Sequence, residues 1–475
     1  MKKNTTILFL LLLVSSVGCK KLVQIPPPKG TITTTQVFAD SADAAAALNG
    51  IYTSMAHAGG SYFGGFANSL MTALPGESAD ELLPYALGND DAEMSTNTVV
   101  ASNANTQLFW YQGYPYIYQA NACIEGLQAS AGVSQTVKNK FIAEAMWFRA
   151  FVNFYLVNLY GNIPLVTTIN YQLNSSASNT PSAQVYQSIV SDLQFAQNTL
   201  PADFSEGGGE RIRVNKWAAT ALLARVYLYQ NNYQQAINQS TSVIGNSSLF
   251  SLVPNLDNVF LANSTEAILQ WQNNSNTNKN TYNATAEAFR FVPYDSTSPP
   301  TEYYLAGPLL NAFENGDMRK SAWIDSSSYS GTTYYYPYKY KVGPAQAQQG
   351  APVTEYYTIL RLAEQYLIRA EANANLGNLA PAITDLNVVR NRSGLPNLAA
   401  TLNKTQVLAA VAQERRIELF AEWGHRWFDL KRTGQVGVVF SGIPYKSAYK
   451  PYQQLYPIPP NELQADPNLK QNPGY

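Results

Sequence analysis

The sequence predicts a mainly α-helical fold, built from paired helices and interrupted by long irregular stretches and a few short strands. Three observations predict it. Apolar residues recur at spacings of three and four over much of the chain, which is the period of one helix face. Several such runs come in pairs joined by two-residue turns, Asn231-Asn232 and Gly377-Asn378. Between them lie stretches rich in Gly, Asn, Ser, Thr and Pro with no steady period, residues 59–106 and 273–307. Structureless segments of that length in a compact chain are usually functional or disordered.

The amino terminus carries Lys2 and Lys3, then an apolar run from Ile7 to Val14 that is short for a membrane span. Ser16-Val17-Gly18-Cys19 follows. Small residues before a cysteine at that distance read as a lipobox, with cleavage before Cys19 and lipid on it. Ser16 departs from the pattern, which usually has an aliphatic residue there. Residues 1–18 are thus expected to be a lipoprotein signal peptide. Residues 19–35, polar and containing Pro26-Pro27-Pro28, suit an extended lipidated tether.

The first helix is expected over Ser41 to Ala56, with Ala44, Leu48, Ile51 and Met55 on one stripe. Gln107 to Gln128 repeats the spacing. Val137 to Tyr160 is strongly amphipathic and ends at Gly161, with Pro164 shortly after, a helix stop. Tyr186 to Leu200 ends at Pro201. Lys216 to Gln230 pairs with Tyr233 to Ile244, and Leu360 to Leu376 with Leu379 to Arg392. Leu223, Ala224, Tyr227 and Ala236 sit at the spacing of tetratricopeptide repeats, where small residues let helices approach closely. Tyr334, Tyr336, Tyr338 and Tyr340 alternate as one face of a strand, expected to pack on the helices with Lys339 and Lys341 on the other face. Charge is sparse, 13% of residues, yet concentrated over Glu414–Gly434 among Ile417, Phe420, Trp423 and Trp427. Charges among buried rings need partners, so ion pairs locking a helix end are expected there. Gly424 offers the helix stop.

That segment resembles the C-terminal signature of the SusD/RagB family, whose pattern is an E-R-R-x-E-L helix, an E-x-x-R-W-x-D-L turn and a basic residue. Glu414, Arg415, Arg416, Glu418, Leu419, Glu422, Arg426, Trp427, Asp429, Leu430 and Lys431 match it. Two further blocks resemble the family in order: Glu144, Arg149, Leu156, Tyr160, Gly161 and Pro164, and the helix from Arg361 to Ala372. The resemblance implies a tetratricopeptide-like helical-pair scaffold with long irregular ligand-binding loops. It implies a lipoprotein of the cell outer membrane, facing outward, that captures an oligosaccharide and delivers it to a SusC-like TonB-dependent transporter. It marks the signature as scaffold. The alternatives are an oligopeptide ligand, as in RagB-like members, and a surface glycosidase. Residues 36–245 and 246–475 are expected to be two regions of one intertwined unit.

The resembled family places its ligand site in loops equivalent to the irregular stretches. Sugars stack their C–H faces on aromatic rings and need paired donors and acceptors for their hydroxyls. The candidate ligand residues are Asp80, Tyr85, Asn89, Asn97, Asn103, Trp271 and Tyr303. With 46% hydrophobic residues the chain has material for a large core. Its net charge of -1 leaves no electrostatic footprint for nucleic acid. Two cysteines and two histidines do not make a usual zinc site. Cys123 is expected to be a small buried apolar residue. No nucleophile elbow, metalloprotease helix or phosphate loop occurs, so no catalytic residue and no cofactor is expected. Glu77, Asp80 and Glu81 are the nearest thing to a glycosidase pair, and sequence neighbours do not establish the separation such a pair needs.

Overall fold

The computed structural model describes residues 34–57, 65–86, 88–276 and 281–475. Cys19, the expected signal peptide and residues 19–33 of the expected tether lie outside the described residues, and Thr34 and Thr35, the end of that expected tether, instead open a short helix, Thr34–Val37. The fold is mainly α-helical, as expected. Its principal helices are α1 (Ser41–His57), α2 (Leu70–Ser78), α3 (Asn89–Thr96), α4 (Ala104–Ala129), α5 (Gln135–Tyr160), α6 (Ser182–Thr199), α7 (Lys216–Tyr229), α8 (Tyr233–Ile244), α9 (Ala286–Phe291), α10 (Leu362–Asn375), α11 (Leu379–Arg392), α12 (Lys404–Glu418) and α13 (His425–Arg432).

Helix α5 is the axis of the core. From Phe141 to Tyr160 nearly every residue is buried, because α4 and α6 pack along it on two sides. Gly161 ends it with a φ of 77°, a conformation cheap for glycine. The pairs α7–α8 and α10–α11 form as the turns foretold. Asn231 takes φ 56°, and Asn232 caps α8 with its side chain. Gly377 makes the second turn at φ 85°. Helix α8 packs on α10, so the pairs stack. Cys123 is buried in the core, without a disulfide partner among the described residues.

Residues 59–106 are far more ordered than their composition suggested. Over its described part this stretch holds α2, the short strand β1 (Leu82–Pro84) and α3. Every residue of α2 is buried. A helix covered on all sides has no polar face, so it shows no amphipathic period to read. The stretch 273–307 likewise contains α9 and β3 (Tyr303–Leu305).

The remaining strands are β2 (Ala267–Trp271), β4 (Ile324–Tyr329), β5 (Thr332–Pro337) and β6 (Tyr357–Arg361). They make three two-stranded antiparallel sheets, β1–β3, β2–β6 and β4–β5. Strand β6 runs straight into α10.

The signature region is scaffold. Arg361 Nε bonds Glu422 at 2.7 Å, and its Nη1 bonds Glu418 at 2.6 Å and Glu266 at 3.0 Å. Arg319 reaches Glu418 at 2.9 Å and Glu414 at 2.5 Å. All of these groups are buried. Trp423 stacks on Tyr357 at 5.1 Å and donates its indole N–H to the Thr358 carbonyl at 2.8 Å. Two details depart from expectation. Helix α12 already stops at Glu418, and Gly424, at φ 66°, instead caps the start of α13. Lys339 does not face solvent. It pairs with Glu422 and lies 4.2 Å from the Phe420 ring centre. Strand β5 ends at Pro337, so strict alternation no longer governs the residues beyond.

Candidate binding face

Strands β1 and β3 pair with Leu82 opposite Leu305, Leu83 opposite Tyr304 and Pro84 opposite Tyr303. Leu82, Leu305 and Tyr303 are buried. Successive side chains on a strand point to opposite faces, so Tyr304 stands on the outer side, where it is half-buried. Tyr85 directly follows β1, and its N–H donates to the Glu302 carbonyl at 2.7 Å, which extends the ladder by one step. Strand β5 lies beside β3 and brings Tyr334.

The Tyr334 ring meets Tyr85 edge-on at 5.4 Å and Tyr304 edge-on at 5.2 Å. Each of the three is half-buried. Among the described residues none of their hydroxyls is committed to a hydrogen bond. Partial burial and then the neighbouring Tyr334 push the Tyr304 hydroxyl above its ordinary range, so it is a neutral donor and acceptor at pH 7. Tyr329, on the same face of the β4–β5 hairpin as Tyr334, is 40% exposed. The hairpin turns at Ser330-Gly331, with φ of 48° and 79°, a two-residue turn of the left-handed kind. The result is an arc of rings with open edges and unspent hydroxyls.

Beneath the arc the residues are spent on holding it. The Tyr303 hydroxyl donates to Asp91 at 3.3 Å, and the Arg290 guanidinium lies 5.5 Å from its ring centre. Burial first and Asp91 second push the Glu77 carboxyl well above its usual range. Lys446, fully enclosed, donates to the Glu77 carbonyl at 2.6 Å and to Asn97 Oδ1 at 2.6 Å. Burial pulls its ammonium down to about 7.

Of the seven sequence candidates, Tyr85 and Asn89 are accessible, and Tyr85 lies in the arc. The other five are buried and committed to the scaffold. Asp80 is 1% exposed and bonds Arg426 at 2.7 Å and Arg416 at 2.5 Å. Burial alone would raise its carboxyl, but Arg426 and Arg416 outweigh that and hold it below the usual range. Asn97 caps α3 in the left-handed conformation. Asn103 caps α4, accepting from the Thr106 N–H at 3.1 Å. Trp271 closes β2 inside the core, stacked on Phe148 at 5.9 Å and edge-on to Tyr52 at 5.8 Å. Tyr303 faces inward, one residue out of phase with Tyr304. Glu77, Asp80 and Glu81 are all buried, and none stands where a glycosidic bond would reach it.

Tyr304, one of the rings of the irregular stretch 273–307, is not among the seven candidates, and neither is Tyr334. Tyr334 was expected in the core with Tyr336 and Tyr340, which are indeed buried. The signal for Tyr304 was Leu305: if that leucine packs inward, the period of two sends Tyr304 outward. The signal for Tyr334 was Ser330-Gly331, whose turn chemistry marks a hairpin projecting from the scaffold.

The SusD family model matches residues 169–475, and a second, described as starch-binding associating with outer membrane, matches residues 68–228. SusD-like protein P2 of Formosa agariphila is 30% identical over 100% of both chains. The starch-binding protein SusD of Bacteroides thetaiotaomicron is 31% identical over 25% of this chain and 21% of its own. Among solved structures, a laminarin-binding SusD-like protein, 26% identical, matches with a TM-score of 0.76 over 92% of this chain and 100% of its own. A SusD superfamily protein of Bacteroides vulgatus, 23% identical with a TM-score of 0.77 over 92% of this chain and 100% of its own, shares the fold.

Proposed function

The chain belongs to the SusD family, and from that membership we propose that it captures a neutral oligosaccharide at the cell surface and passes it to a SusC-like TonB-dependent transporter. In this reading Cys19 carries lipid and anchors the chain in the outer membrane. The observation that carries the proposal is the arc Tyr85–Tyr334–Tyr304 with its unspent hydroxyls. Open aromatic edges suit the C–H faces of sugar rings, and free phenols suit their hydroxyls. No carboxylate or cation belongs to the arc itself, which favours neutral glycans over uronates. The laminarin-binding and starch-binding proteins to which the chain is similar support the same class of ligand.

The test is calorimetric titration of the lipid-free protein with laminarin-derived and starch-derived oligosaccharides and with an oligopeptide mixture. Tyr304→Ala and Tyr85→Ala should each weaken glycan binding about five-fold, corresponding to about 1 kcal/mol per ring, while leaving Tm unchanged. Normal glycan binding by both variants would refute the site. Peptide binding in place of glycan binding would refute the ligand class.

A further inference from the structure

Leu108, Tyr111, Pro115, Tyr118 and Ala122 recur at three and four along one side of α4, a single stripe about 21 Å long. Each is exposed or half-buried, and Tyr118 is 53% exposed. Helix α4 has 26 residues and one charge, Glu125, which accepts the Ile169 N–H at 2.9 Å. The segment before Ile169 is laced to the flank of the stripe. Its Pro164 carbonyl accepts from the Tyr114 hydroxyl at 3.0 Å, and its Val166 carbonyl accepts from the Asn121 amide at 3.1 Å. Just beyond Ile169 comes a short helix, Tyr171–Asn174, with Tyr171 80% and Leu173 63% exposed. An exposed apolar patch of this kind marks a contact with a protein or a membrane.

The course of the chain says which. The helix Thr34–Val37 packs on α4. Phe38 lies against Gly126, where there is no room for a Cβ, and the Phe38 carbonyl accepts from the Ser130 hydroxyl at 2.6 Å. Gly126 follows Ala122 by four, so the amino-terminal segment seats on the end of the stripe itself. Fifteen positions separate Cys19 from Thr34, a reach of at most about 50 Å. With lipid on Cys19, this end of the molecule is held at a bilayer, which raises the effective concentration of the stripe at the bilayer surface. The chemistry fits as well. Tyrosine favours the headgroup zone, where its ring is sheltered and its hydroxyl stays wet. The stripe is the convex face of one helix and carries no charge. It offers a protein partner neither a pocket nor an ion pair, and a bilayer needs neither.

We propose that the outward face of α4, with Tyr171 and Leu173, rests in the headgroup zone of the membrane that holds the lipid anchor. This rests on the reading that Cys19 carries lipid. The contact fixes one side of the protein against the membrane, where a lipid alone would leave the body free to tumble.

The experiment couples residues 19–475, through the Cys19 thiol, to a maleimide lipid in phosphatidylcholine vesicles. Cys123 is buried and burial pushes its thiol up to about 12, so Cys19 reacts alone. Hydroxyl-radical footprinting then reads each tyrosine on coupled and uncoupled protein. Labelling of Tyr118 and Tyr171 should fall about threefold or more on the vesicles, while Tyr329 on the β4–β5 hairpin stays unchanged. Tyr118→Asp combined with Tyr171→Asp alters only exposed side chains, so Tm should hold, and Tyr111 should regain its uncoupled labelling. Undiminished labelling of Tyr118 and Tyr171 on the vesicles, or an equal loss at Tyr329, would overturn the proposal. So would protection that appears without vesicles and grows with protein concentration, which assigns the face to a second copy. Because the link is chemical, these outcomes do not depend on whether the cell attaches lipid to Cys19, which membrane fractionation of Cys19→Ala decides.

Discussion

Glu418 has three guanidinium groups around it, from Arg319, Arg361 and Arg392. Burial alone would raise its carboxyl, but the three arginines outweigh it and hold the group well below the carboxylate range. A depressed carboxyl contributes stability that is present at neutral pH and lost as pH falls through the folded value. Glu418→Ala leaves three buried cations short of a partner and should lower stability by about 3–5 kcal/mol, read as a fall in Tm at pH 7. Glu287 has the opposite sign. Burial first raises its carboxyl, which hydrogen bonds from Thr72 and Tyr357 only partly offset, and it is pushed from 4.5 to about 8. That contribution is fully present below about pH 4.5 and lost as pH rises through 8. Glu287→Gln removes the titration while keeping the shape. Its Tm should gain on that of the parent protein as pH rises from 5 to 9, and a constant difference across that range would contradict the assignment. At this scale the sequence spoke only through chemistry. It said that the charges of the signature must find partners. It did not say that Lys339, from a different segment, would join them, because only the fold brings Lys339 to Glu422.

At the scale of elements, helices with one wet face were legible, and those without one were not. Helices α8 and α11 have the spans that spacing and turn residues predict, since solvent on one side writes a period of 3.6 into the chain. Helix α2 has no such side and reads as featureless. Strand β2 is buried along its whole length, so Trp271 carried no mark separating a core ring from a binding ring. The three-residue strand β3 is too short for a period to declare itself, which is why Tyr303 was favoured over Tyr304. A junction between elements supplies a further prediction. Gly424 starts α13 at φ 66°, and a Cβ there would stand 2.6 Å from Pro75 Cβ and 3.0 Å from the Met71 carbonyl oxygen. Gly424→Ala therefore forces α13 away from α2 and should cost about 1–3 kcal/mol. Denaturant unfolding would show a lower midpoint with an unchanged slope.

At the scale of the whole molecule, the tyrosine arc and the scaffold are different kinds of surface. The scaffold pairs its buried arginines with carboxylates, whereas the tyrosine arc leaves its hydroxyls free. Binding without turnover is the expected behaviour: a glycan incubated with the lipid-free protein should keep its chain length, and shortened products would contradict it. Attachment is checked separately. Cys19→Ala should release the protein from the outer membrane into the soluble fraction while its helical content stays the same.

The pairing of β1 with β3 carries one more consequence, for the order of assembly. Leu82 meets Leu305, and Asp80 meets Arg416 and Arg426 across separations of 336 and 346 positions. The segment carrying Tyr85 therefore cannot close until almost the whole chain is present. Non-local closures of this kind form slowly. During synthesis α2 has to wait, still uncovered and with its apolar surface available to other unfinished chains. Closure of the Tyr85 segment thus arrives late, when the final segment docks.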